Sequence, residues 1–486
     1  MTTPATSGSA LAPVKFSRLS QRGVLLGLTT SQLVVVGVAA AVLVVGLYSG
    51  GASSLLVAAP LIAVCAVLAF GSVGGRKLIE WVPIVVVWGW RAGGGQLLFR
   101  RRITRPRPAG TLALPGDAAR LRQWVDLDTG AVMVHDPHAA TLTAVVGVAH
   151  PAFILLDPTE QHRRVTSWGR VLATACRSGR IASVQVCERT LPDSGRGLAD
   201  WWTRHGRHDD SWTSTVYAEL IDRAGPAGER HASTVSISID LKSAGRAIRA
   251  AGGGNRGAAA VLRQEMSTLT AALRSADLAP GDWLEPGDLA VILRSAYDPV
   301  VAGALERHGS LGRDLATAGP VAVSEEWASL RSDSAHHCVL WISEWPRSLV
   351  YPGFLAPVLL SSGVRRTFTL LYTPLRTDQA ARDIRRKKTE YISDAAQRQR
   401  IGQIEDAQQS AEYQDVLQQE ADLTAGHGIL RLTGLIAVSS PDPETLEQAV
   451  AEIEQAAIQA SCETRRLWGQ QAQAFAAAAL PLCRPV

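Results

Sequence analysis

Two uncharged runs near the amino terminus constrain this chain more than any other feature. Residues 25–48 carry no charged side chain, and residues 33–48 are almost wholly aliphatic. A second uncharged run covers residues 53–73. At 1.5 Å rise per residue, 21 helical residues cover roughly 31 Å, about one hydrocarbon core. Gly50, Gly51 and Ala52 leave room between the runs for a tight turn only. The pair reads as a transmembrane helical hairpin over residues 23–75. A cleaved signal peptide followed by a core helix is the competing reading. The first run is too long for a signal h-region, and the second follows at once.

Charge orients the hairpin. Residues 1–110 hold eleven Lys and Arg against one acid, Glu80, whereas the remainder holds 38 bases and 43 acids. The bases cluster on both outer flanks, at Lys15, Arg18 and Arg22 and again from Arg76 and Lys77 onward, while the turn carries none. The positive-inside rule places residues 1–22 and the long carboxy-terminal part in the cytoplasm, in a two-span protein of the cell membrane. A nucleic-acid binder would carry its basic stripe on its folded domain, so no direct nucleic-acid partner is expected. The six cysteines form no CxxC pair and read as packing residues in a reducing compartment.

Residues 76–110 read as an interfacial segment and basic linker. Trp81, Trp88 and Trp90 are amphipathic rings suited to the headgroup zone, and Arg76 and Lys77 sit beside them as membrane-interface residues. A first strand of the soluble part, on the β-branched run at residues 84–87, is the alternative.

From residue 111 strand and helix signals alternate. Strands are expected at 141–149, 181–190, 231–243, 338–345, 366–375 and 428–440, and helices at 158–175, 257–277 and 442–460. The 231–243 strand alternates strictly, which predicts one wet face. Residues 377–423 form a long polar helical stretch that either folds back near Gly402 or projects toward a partner. The fold class is α+β: cytoplasmic split-βαβ (ferredoxin-like) sandwiches at 111–330 and 331–486, a repeated pattern that suggests two related halves.

Chemistry is sparse. The glycine cluster at 251–257 opens a helix but lacks the Lys and Ser/Thr of a phosphate-binding P-loop. His205, His208 and Asp209 lack a fourth metal ligand at helical spacing, and His336 with Cys338 makes only two. The expected protein is not an enzyme and takes no cofactor or metal. The last stretch, opened by Trp468 and centred on Phe475, has the spacing of a buried stripe. This last helix either packs on its own core or is left for a separate chain; Trp468 and Phe475 are the candidate partner-docking residues, with Gln470, Gln471 and Gln473 at a rim.

These features resemble a family. KFSRLSQRGVLLGLTTSQ leading into a hairpin, followed by IEWVP, is similar to the small PrgI/VirB-class inner-membrane subunits of conjugative type IV secretion systems. LRSAYDP (293–299), LLYTPL (370–375) and GQQAQAFAAAALPL (469–482) resemble the amino-terminal, non-motor domain of the VirB-class secretion ATPases. The whole resembles actinobacterial integral membrane proteins of conjugation-type gene sets. The resemblance implies a non-enzymatic structural subunit whose partners are the lipid bilayer, a separate secretion ATPase and other machine subunits, with homo-oligomer formation left open. An EccE-like two-span subunit of a type VII (ESX) system and a degenerate nucleotide-binding enzyme are the alternatives.

Overall fold

The structure is a computed structural model. It describes residues 14, 16, 29–74, 76–102, 104, 108, 110–112, 114–150, 152–192, 196–224, 229–307, 313–401, 407–425 and 427–485. The chain divides into two compact units: residues 19–97 with 468–470, and a larger body of residues 1–18, 98–467 and 471–486.

The smaller unit begins with α1 (Thr30–Phe70), capped at its start by a reciprocal Thr29–Gln32 box. Gln32 Nε2 donates to the Ala69 carbonyl at 2.6 Å. On a straight helix those residues would stand about 55 Å apart, so α1 is sharply bent and its ends lie side by side. Its Ser31–Tyr48 part is long and apolar enough to cross a membrane, and most of its side chains are exposed. Two-residue strands β1 (Ser72–Val73) and β2 (Arg76–Lys77) then pair, and α2 (Leu78–Gly93) follows. Residues 84–87 are therefore helical, which corrects the strand alternative.

The body is built on a 13-stranded sheet, in which every pairing is antiparallel. After β3 (Leu98–Arg100), its first half runs β4 (Arg122–Val125), β5 (Val132–Asp136), β6 (Thr141–Ala149), α3 (Pro158–Arg177) and β7 (Ile181–Pro192). It continues with α4 (Arg196–His205), α5 (Trp212–Ala224), β8 (Glu229–Asp240), α6 (Gly245–Ala250), α7 (Gly254–Ser275), β9 (Ala279–Trp283) and α8 (Pro286–Tyr297). After α9 (Ala302–Arg307) the second half runs β10 (Ala322–Glu325), β11 (Leu330–Ser332), β12 (Ala335–Glu344), α10 (Ala356–Leu359) and β13 (Arg365–Pro374). Then come α11 (Thr377–Ile401), α12 (Ala407–Thr424), β14 (Leu430–Ser440), α13 (Pro443–Gln459), β15 (Glu463–Arg466) and α14 (Gln471–Ala478).

The strand order is β3-β10-β11-β12-β14-β13-β7-β8-β6-β5-β4, with β9 beside β6 and β15 beside β12. Read outward from the central β7–β13 pair, both halves follow one order. β8, β6, β5 and β4 on one side answer to β14, β12, β11 and β10 on the other. Each half inserts a helical pair at the same place, α4–α5 or α11–α12, and ends on a strand and a helix. The sheet thus runs unbroken across residue 330.

Helices α3 and α7 cover one face of the first half, where Leu262, Met266, Leu269 and Leu273 meet Leu142, Ala144 and Ile237. Helix α13, with Leu446, Val450 and Ile453, covers the same role in the second half, against Leu340, Ile436 and Val438. The opposite face carries α8 and α14 in one shared core. Both α3 and α13 start on an Asp-Pro pair. The Asp157 and Asp442 carboxylates accept from first-turn N–H groups, and the proline needs no acceptor there.

The expected wet face of β8 is dry. Thr234, Ser236 and Ser238 are buried because the chain beyond α14 lies over them. Ser236 Oγ donates to the Pro481 carbonyl at 2.8 Å, and Thr143 Oγ1 donates to Ser238 Oγ at 3.0 Å. The stretch at 377–423 folds back. Lys388 Nζ pairs with Glu420 at 2.7 Å, and the Tyr391 and Tyr413 rings stack at 4.2 Å between α11 and α12.

Candidate membrane-interface and docking residues

The residues expected at a membrane interface all lie in the smaller unit. Gly71 ends α1 where an added Cβ would fall 2.5 Å from the Val67 carbonyl oxygen, so a larger residue would force the backbone of the turn to shift. The turn places Arg76 and Lys77 in β2, directly before α2. Helix α2 buries none of its residues. Trp81 and Trp88 are half-buried, and Trp90 is 78% exposed. Trp81 Nε1 donates to the Val73 carbonyl at 3.1 Å, tying the helix to the turn. Glu80 in the first turn and Arg91 in the last complement the helix dipole. An apolar, Trp-bearing helix with charged ends is suited chemically to a water–lipid boundary.

The two docking residues part company. Trp468 is half-buried ahead of α14. Phe475 is wholly enclosed in the body's own core, its ring 5.0 Å from Tyr297 and 4.5 Å from His337. Of the two expected uses of this helix, packing on the body's own core is the one seen at Phe475, which a partner could reach only by displacing that core. Gln471 is buried as well, not at a rim. Its Oε1 accepts from Val339 N at 2.8 Å and its Nε2 donates to the Leu467 carbonyl at 2.9 Å. Gln473 is exposed.

The sequence left the carboxy-terminal seat unmarked. The last carbonyls of a helix have no partner within it. Here the sheet supplies the donors. Gln185 Nε2 donates to the Ala477 and Leu480 carbonyls, both at 3.0 Å, and its Oε1 accepts from Cys483 N at 2.6 Å. Thr369 Oγ1 donates to the Ala478 carbonyl at 2.6 Å. Burial pushes the Cys187 and Cys483 thiols up to about 11 and about 12, so both stay protonated as packing groups. A buried Gln paired across neighbouring strands with a buried Ser 51 positions away gives no local pattern, so only the assembled sheet reveals this role.

The other motifs do not converge. Gly252, Gly253 and Gly254 take positive φ of 100°, 73° and 56° to turn the chain into α7. Gly257 packs where an added Cβ would stand 2.4 Å from the Ile248 carbonyl oxygen. The glycines thus serve the close approach of α6 and α7. His205 and His208 each bond a backbone carbonyl of α4, of Trp201 and Thr203, and Asp209 accepts from Ser211. His336 is half-buried and Cys338 fully buried. Among the described residues no three metal-ligating side chains gather. Sequence reasoning also missed the seat of the amino-terminal segment. Val14 pairs with Val350 through N–H···O bonds of 2.7 and 3.0 Å, and the Phe16 ring stacks on Trp345 at 5.1 Å and meets Phe354 edge-on at 5.6 Å.

Comparison with protein-family models and with curated proteins gave no match.

Proposed function

We propose that this chain is a non-enzymatic structural subunit of the cell membrane. It crosses the bilayer twice, keeps both termini in the cytoplasm, and anchors a separate ATPase of a type IV secretion-like machine. The observation that carries the topology is the seat of the amino-terminal segment. Val14 and Phe16 belong to the same body as residues 98–467 and 471–486. One crossing between them would put them on opposite sides of the membrane. An even number keeps them together, and the bent α1, with Gln32 against Ala69, supports two. The basic flanks then assign the body to the cytoplasm.

The body suits a scaffold. Within each half the order β9-β6-β8-β7, or β15-β12-β14-β13, with helices after the first and third strands, supports reading it as a split-βαβ sandwich. We read the body as two such sandwiches related by duplication. On α5, Trp212, Val216 and Leu220 are exposed at i, i+4 and i+8 and offer an apolar contact stripe. The assignment to a secretion machine rests on the resemblance of the hairpin and of LRSAYDP, LLYTPL and the final stretch. Affinity purification of the full chain from membranes tests it. A secretion ATPase among the co-purifying proteins is the expected result. Recovery of the chain in the soluble fraction, or from membranes with no ATPase, would overturn the reading.

A further inference from the structure

The loop after β12 forms a short ribbon with the amino-terminal segment, through the single antiparallel Val14–Val350 bridge. In extended backbone, alternate side chains point to opposite faces. Val350 points inward and is buried, whereas its neighbours Leu349 and Tyr351 point outward and are 58% and 57% exposed. Two large apolar side chains thus stand on one outer face, beside the Phe16–Trp345–Phe354 stack that holds the ribbon in place.

We propose that this face rests on the headgroup layer of the bilayer, with Leu349 and Tyr351 entering its apolar boundary. The inference builds on the membrane reading above. Connectivity selects lipid as the occupant. Phe16 precedes Thr30, the start of the apolar helix, by only 14 positions. Phe16 packs on Trp345 and Phe354, and after the apolar run the chain resumes at β3, which pairs with β10, so the segments flanking residues 19–97 in sequence are both seated on the second half of the sheet. Charge agrees. In sequence Lys15, Arg18 and Arg22 flank Phe16, and the first acid of the whole chain is Glu80. Such a flank is attracted to anionic lipid by about 1 kcal/mol per base near the surface. A Tyr beside an aliphatic residue is the side-chain pair that favours the boundary itself.

The full chain, in a Cys176→Ser background, would be reconstituted in nanodiscs of phosphatidylcholine and phosphatidylglycerol. It would carry an environment-sensitive fluorophore on Leu349→Cys, Tyr351→Cys, Leu127→Cys or Val57→Cys in turn. Nitroxide-labelled lipid is the quencher. The Val57 site reports the apolar helix, and the exposed Leu127, between β4 and β5 at the sheet edge opposite β3, reports a different surface of the body. The expected result is loss of roughly half the emission at Leu349 and Tyr351, as befits side chains 5–10 Å into the boundary, with quenching at Val57 and none at Leu127. Quenching at Val57 alone would overturn this proposal and leave the membrane anchor standing. A blue shift at Leu349 without quenching would assign the face to protein, such as a second copy, and overturn it too. No quenching at any site would overturn both readings.

Discussion

Phe475 and His337 meet ring to ring between the sheet and α14, and each makes a measurable claim. Phe475→Ala should lower stability by roughly 3–5 kcal/mol, the cost of a cavity in a packed core. Thermal melting of the detergent-solubilised protein checks this, and an unchanged melting temperature would place Phe475 outside the core. His337 is buried between two hydroxyls, Ser332 Oγ at 2.7 Å from Nε2 and Ser439 Oγ at 2.8 Å from Nδ1. Burial pushes its pKa down to about 3. Between that value and an ordinary imidazole's, about 6.5, the unfolded chain binds a proton that the folded chain refuses. Its contribution is therefore complete above about pH 6.5 and is lost as pH falls toward 3, by up to about 1.4 kcal/mol per unit. The urea midpoint should drop between about pH 7 and pH 5. His337→Gln should flatten that dependence; an unaltered slope would mean that other groups set it. The sequence showed His337 only as a neighbour of His336 and Cys338. Its burial depends on α14, 134 positions downstream.

At the scale of elements, the end of α14 and the segment after it are held by side chains of β7, β8 and β13 as well as by their own hydrogen bonds. Gln185→Leu would leave the Ala477 carbonyl and the Cys483 N–H without their side-chain partner in a dry site, each costing about 1–3 kcal/mol, while the Leu480 carbonyl keeps its bond from Leu482 N. Amide exchange over residues 479–485 should speed up sharply, while exchange in α7, in a separate core, should change little. Equal acceleration in both would show that the body unfolds as one and that the seat has no local role. The α6–α7 junction gives a second test. Gly257→Ala should destabilise the protein, because its Cβ meets the Ile248 carbonyl and backbone on both sides would have to shift. Calorimetry on the full chain should show no micromolar ATP affinity, since the loop offers no lysine to terminal phosphates. Micromolar binding lost in Arg256→Ala would restore the nucleotide reading. Elements with strong periodicity were legible. The strand expected at 141–149 is β6 to the residue, and the helices at 158–175, 257–277 and 442–460 match α3, α7 and α13 to within three positions at each end. The burial of β8 on both faces was not legible, because Thr and Ser at alternate positions read the same against water as against buried carbonyls.

For the whole molecule, topology is the decisive measurement. Cys introduced at Ser49 should react with an impermeant thiol reagent from outside intact cells, and Cys at Ser7 should not. The reverse pattern would invert the orientation, and equal reactivity would exclude two crossings. What the sequence alone determined is local: two apolar runs, the charge on their flanks, and the period of each strand and helix. These are properties of a few neighbouring side chains and survive in any surroundings. What only the tertiary structure decided is which surfaces those elements share. The antiparallel β7–β13 pair, from Val184–Tyr372 to Arg189–Thr367, joins the halves into one sheet. Phe16 is seated on Trp345, and Gln185 receives Cys483 across 298 positions. The entropy of closing a loop rises only slowly with its length, so distant segments pair about as readily as near ones. Which of them does so is set by shape and hydrogen-bond complementarity that appears once both partners are folded.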